Sequence, residues 1–169
     1  MHLRFRPTHP RRCHARLSFI VSVLLLGVGM PAGVSGQSAN LVYISNVTGT
    51  EVDGSPQRTV EAQTAAALDR LGEALAQRGL SYTDVVVSNV FLRDARHFQG
   101  MNGVYRTYFE TGAPTRATVQ ADLLDPEALF QISVVATGDP KEIIVPSGLK
   151  SPALPYSWGI RVGTTLFLS

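Results

Sequence analysis

The chain has 169 residues, enough for one domain of ordinary size with a core that folds unaided. Its formal charge of +2 is a composite: five of the 15 cations (Arg4, Arg6, Arg11, Arg12 and Arg16) precede position 20, and beyond Gly36 there are 10 Lys/Arg against 13 Asp/Glu, a net of −3. A mildly acidic domain without a basic patch argues against nucleic acid as a partner. With Cys13 the sole cysteine, the chain beyond it has no disulfide, thiolate nucleophile or cysteine-ligated metal.

The basic start leads into a 14-residue apolar run, Leu17 to Met30, short for a bilayer span. Pro31 and small residues follow, with Val34 and Gly36 suiting a cleavage site, so residues 1–36 read as an export signal. The alternative is an uncleaved N-terminal anchor. Cleavage leaves a periplasmic or extracellular protein with no membrane segment.

Leu41 to Ser45 is a short strand, and Thr48 to Pro56 a Gly/Asp/Ser loop. From Gln57 to Arg78, Val60, Ala67, Leu68, Leu71 and Leu75 recur at helical spacing, and Gly79 is placed to end the helix. Ser81 to Asp84 has capping-box spacing and opens a turn. Val85 to Leu92 is a β-branched strand. Asp94 reads as the N-cap of a second helix reaching Phe109, with Phe98, Met101, Tyr105, Tyr108 and Phe109 on its apolar side. Gly112 and Pro114 break that helix. Strands at Ala117–Leu123 and Leu129–Thr137 follow, joined by an Asp-Pro turn. The order predicts an α+β domain over residues 37–138, a mixed sheet with both helices on one face. Residues 139–155 read as a Pro/Gly-punctuated linker carrying one short strand at Ile143–Val145. Gly159 to Ser169 reads as two strands around a Gly-Thr turn.

Arg116 is the sole cation between Tyr108 and Gly138, in a region patterned as buried strands. A guanidinium there needs an anionic partner, and its planar fork suits a carboxylate. A structural ion pair with Asp122 or another acid is the competing reading. His97 is the sole histidine after the signal, which excludes a histidine-cluster metal site, and no phosphate-cradling glycine loop occurs. The expectation is no metal and no cofactor. Ser147-Gly-Leu-Lys150 has Ser-x-x-Lys spacing by chance, since it lies in the linker without a partner motif.

Gln63-Thr64 with Leu68, Leu71 and Leu75, Asp84-Val-Val, Phe98 with Met101-Asn102 and Tyr105, Tyr108-Phe109, and Pro114-x-Arg116 with Val119 come in an order that resembles the YjgF/RidA family of imine and enamine deaminases, over Leu41 to Ala136. The resemblance implies a chorismate-mutase-like fold, a homotrimer with pockets between subunits, and hydrolysis of 2-imino or enamine acids to 2-keto acids and ammonia. It makes Arg116 the carboxylate-binding arginine, Asn102 a pocket asparagine and Ser45 the serine ending a strand. Departures are Gln131 where the deaminases carry a glutamate, Thr118 for their pocket cysteine, and Ile44-Ser45-Asn46 for Ser-Gly-Gln. Catalytic roles therefore fall to Arg116, Gln131 and Thr118, and substrate contacts to Arg116, Asn102, Ser45 and Tyr156. An amide orients water but cannot accept its proton, so a carboxylate-binding or interaction domain without turnover is the alternative. Tyr156 to Ser169 resembles the opening of a second such domain. It reads either as a truncated repeat, making a tandem pseudo-trimer, or as a strand completing the first domain.

Overall fold

The computed structural model describes residues 39–169. The export signal and Cys13 lie outside the described residues. Among them, no helix is long and apolar enough to cross a membrane.

Strand β1 (Val42–Thr48) is followed by a short ribbon, β2 (Glu51–Val52) with β3 (Ser55–Pro56). Asp53 and Gly54, at φ 49° and 77°, turn it, the positive-φ pair that tight hairpins favour. Helix α1 (Val60–Ala76) starts at Thr59, whose hydroxyl accepts from the Ala62 N–H at 3.2 Å. It stops at Gly79 (φ 70°), where Gly79 N–H donates to Ala76 O and Leu80 N–H to Leu75 O. That is the Schellman arrangement. The Ser81–Asp84 capping box forms as expected and opens a single 3₁₀ turn, Tyr82–Asp84.

Strand β4 (Val85–Leu92) runs into a second 3₁₀ turn, Ala95–His97, and then α2 (Phe98–Tyr108). Asp94 caps the short turn rather than the helix, its carboxylate accepting from Arg96 N–H, so α2 begins three residues later than the sequence suggests. β5 (Thr115–Gln120) and β6 (Phe130–Ala136) complete a sheet of order β1-β6-β4-β5. β4 and β5 are parallel and the other pairs antiparallel, the mixed sheet anticipated.

Strand alternation sorts the faces. Ile44, Ser88, Val90, Leu92, Phe130, Ile132 and Val134 point under the helices, into a core with Leu68, Leu71, Leu75, Met101 and Tyr105, all at most 8% exposed. Gln63, 1% exposed, stitches the helix layer to two loops: its Nε2 donates to Gln57 O and Glu127 O, and its Oε1 accepts from Leu129 N–H.

The segment read as a linker holds β7 (Lys141–Ile144), which pairs with β8 (Gly159–Val162), and β8 with β9 (Thr165–Leu168). This three-stranded sheet lays Ile160, Val162 and Phe167 on Val86, Val87 and Val135. The tail thus packs against the main sheet, and it does not pair with β1. Its backbone groups are spent on β7, the strand expected at Ile143–Val145, which begins two residues earlier.

Candidate functional site

Arg116 sits on β5 opposite Ser88 of β4, so both face the helices. α2 presents Phe98, Asn102, Tyr105 and Phe109 at spacings of four, three and four, one stripe of a helix. The Arg116 guanidinium lies over the Tyr105 ring at 4.9 Å and the Phe98 ring at 5.9 Å. Tyr105 is held from below: it stacks on Phe109 at 4.4 Å and donates its hydroxyl to Ser88 Oγ at 2.9 Å. Sequence reasoning took Tyr105 for a plain core aromatic. The available signal was Ser88, a hydroxyl on the buried face of an otherwise apolar strand.

Arg116 is 8% exposed and, among the described residues, forms no ion pair with a carboxylate. Among the described residues the ion pairs are Arg96–Asp94 and Arg161–Glu142, both away from it, and the anticipated alternative with Asp122 does not form. Its Nη1 is buried without a hydrogen-bond partner. Burial pushes its pKa below the ordinary guanidinium value, and the phenols of Tyr105 and Tyr156 act in the opposite direction. Even depressed, a guanidinium stays charged at neutral pH.

The neighbouring polar groups share this condition. Asn102, 3% exposed, has both amide atoms buried and unpartnered, and so is Thr118 Oγ1. Thr118 follows Arg116 by two residues, hence on the same sheet face, about 6.6 Å along the strand. A cation, an amide and a hydroxyl, with buried and unsatisfied polar atoms, make a donor-rich cluster whose chemistry suits a small anion with a polar neighbour.

The tail closes the near end of β5. Arg116 N–H donates to Ser169 Oγ at 3.0 Å, and Ser169 Oγ donates to Ser157 O at 2.6 Å. Ser157 in turn donates its N–H to Pro114 O and its hydroxyl to Ala113 O. Tyr156 is thereby brought close enough to Arg116 to act on its charge. Ser157 and Ser169 were not anticipated, because their role depends on where the tail folds.

Gln131 and Ser45 lie elsewhere. Gln131 pairs with Phe91, three residues from Ser88, so its side chain leaves the sheet on the face opposite Arg116. There its Nε2 donates to Asn46 Oδ1 at 3.2 Å. Ser45 is exposed beside the irregularity between Ile44 and Val47. The residue in the left-handed conformation is Asn46 (φ 58°), not Ser45. Asparagine is among the non-glycine residues that visit that region most readily, and Asn46 is held there across the sheet, its N–H donating to Ser133 Oγ and its Oδ1 accepting from Gln131. Within one chain, then, Arg116, Asn102, Thr118 and Tyr156 come together, while Gln131 meets Asn46 on the helix-free face and Ser45 is simply exposed.

Residues 33–138 match the model of the family described as Endoribonuclease L-PSP. This chain belongs to that family, the YjgF/RidA family. A chloroplastic protein of Arabidopsis thaliana named Reactive Intermediate Deaminase A is 35% identical over 100 residues, 58% of this chain and 54% of that protein, so the chain spans about half the length of this relative. A rat protein named 2-iminobutanoate/2-iminopropanoate deaminase is 29% identical over 133 residues, 73% of this chain and 96% of the relative. Among solved structures, NMB1025 of Neisseria meningitidis, described as a member of the YjgF protein family, aligns with TM-score 0.53 and 30% identity over 57% of this chain and 78% of its own. The α+β fold of the YjgF/RidA family is therefore the fold of this chain.

Proposed function

We propose that this protein hydrolyses 2-imino or enamine acids to 2-keto acids and ammonia. The buried, unpaired guanidinium of Arg116 carries the reading. A 2-imino acid offers a carboxylate for Arg116 Nη1 and the Asn102 amide, with the imine carbon held beyond it. Orientation of that kind removes up to about 7–11 kcal/mol of barrier in the best intramolecular models. A protonated imine is a strong electrophile, so a water held by the Thr118 hydroxyl attacks without a strong base. The carbinolamine then expels ammonia and leaves the ketone. The names of the relatives support this chemistry. The net charge of −3 beyond Gly36 gives no support to a nucleic-acid substrate.

Gln131 and Asn46 face away from Arg116 within one chain, so their joining the same pocket requires another copy. The proposal therefore includes a trimer with pockets between subunits, checked by light scattering on the purified protein. It also includes export with cleavage near Gln37, checked by N-terminal sequencing of the secreted product.

The test is hydrolysis of 2-iminobutanoate generated in situ by an amino-acid oxidase. Acceleration that disappears in Arg116→Ala supports the proposal, and no acceleration over buffer defeats it. One observation favours a second reading, a carboxylate-binding domain without turnover: Gln131 is bonded to Asn46 and cannot take a proton. Calorimetry that finds 2-ketobutyrate binding with no turnover would select it.

A further inference from the structure

A cavity of about 400 Å³ lies between the C-terminal end of α2 and the segment 151–158, within the size range of small-molecule sites. Arg116, Asn102 and Thr118 do not line it, so it is distinct from the guanidinium site, although Tyr156 and Ser157 belong to its wall. Nothing in the deaminase reading uses it.

The cavity's lining is apolar on one side: Phe109, Ile143, Pro152 and Leu154 contribute. Tyr156 and Trp158 meet edge to face there, with ring centroids 5.7 Å apart and planes at 86°. The indole N–H of Trp158 is already given to Lys150 O at 3.0 Å, so the ring offers the cavity only its carbon surface. Arg106, in the last turn of α2, and Glu110, just past the end of that helix, supply a positive and a negative group to the same lining. Neither takes part in an ion pair among the described residues. The helix ends between them, so they are not held at the spacing that pairs side chains along a helix face. Two opposite charges beside an apolar hollow are each satisfied by one kind of small molecule, a zwitterion with an apolar body. A simple carboxylate leaves Glu110 unpaired, and a simple amine leaves Arg106 unpaired.

We propose that this cavity binds a free α-amino acid with a large apolar side chain, its carboxylate on Arg106, its ammonium on Glu110 and its side chain against Trp158. The inference stands independently of turnover at Arg116.

Trp158 is the chain's sole tryptophan, so its emission reports on the cavity directly. Titration of the full chain with L-leucine is expected to change that emission saturably, with calorimetry as a second readout. Arg106→Gln and Glu110→Gln, both at exposed positions, are each expected to weaken binding by about fivefold or more. Arg116→Met is expected to leave it unchanged, which separates this site from the deaminase reading. A flat titration, an equal response to 4-methylpentanoate (which lacks the ammonium), or a response indifferent to both glutamine variants would overturn the proposal.

Discussion

Replacing Arg116 by methionine separates a ligand-binding arginine from a structural one. Methionine keeps the apolar stem that packs on Tyr105 and Phe98 and removes the charge. In the free protein the guanidinium has a buried donor with no partner, a penalty of about 1–3 kcal/mol. Its stacking over the rings at 4.9 and 5.9 Å returns about 0.5–2 kcal/mol. The two terms nearly cancel, so Arg116→Met should unfold within about 1 kcal/mol of the wild type, or be more stable. Removing one partner of a buried ion pair would instead cost about 3–5 kcal/mol. Urea denaturation distinguishes the two. The same experiment with 2-ketobutyrate reads function: at a hundred times its Kd a ligand adds about 2.7 kcal/mol to the wild type, and Arg116→Met should gain nothing. A variant destabilised by about 3 kcal/mol or more, or one still stabilised by the ligand, would refute the reasoning.

Gln131→Glu should fold normally, within about 0.5 kcal/mol of the parent, because the exposed Asn46 amide can turn its NH₂ toward the new carboxylate. Under the hydrolase reading it should raise kcat for 2-iminobutanoate, measured in the coupled assay. Gly49→Ala should be among the most damaging single changes in the fold, costing about 3 kcal/mol or more by urea denaturation, because a Cβ there would lie 2.3 Å from Gln63 O and 2.6 Å from Ala67 N, both backbone. Stability should also fall as pH rises from 10 toward 12. The Tyr82 phenol is pushed up to about 12, chiefly by burial and next by the charge of Asp69, so the unfolded chain releases that proton first. Tyr82→Phe should flatten the alkaline limb of a stability–pH profile.

Much of the local structure was legible in the sequence because its causes are local. Helical spacing from Val60 to Leu75, Gly79 after it, the Ser81–Asp84 box and the β-branched run of β4 act over a turn or a few residues. Their boundaries in the structure shift by a few positions at most. The exceptions were instructive. Asp94 bonds the nearest free N–H, Arg96, which a 3₁₀ turn supplies as well as an α-helix does. β7 begins two residues earlier than the strand expected at Ile143–Val145, because its extent is set by pairing with Gly159–Val162, far along the chain.

The amino-acid order alone placed a single cation, Arg116, in a region patterned as buried strands, and showed that an aromatic stripe of α2 repeats at helical spacing. Only the tertiary structure decided that these two meet, that Asp122 stays away, and that Gln131 leaves the sheet on the opposite face. The reason is register: a one-residue shift between β4 and its neighbours would exchange every face, and long-range pairing sets it. The tail's grip on Arg116 N–H through Ser169 likewise exists because the hairpin buries Ile160 and Val162 against β4 and β6, a packing choice that no local pattern encodes.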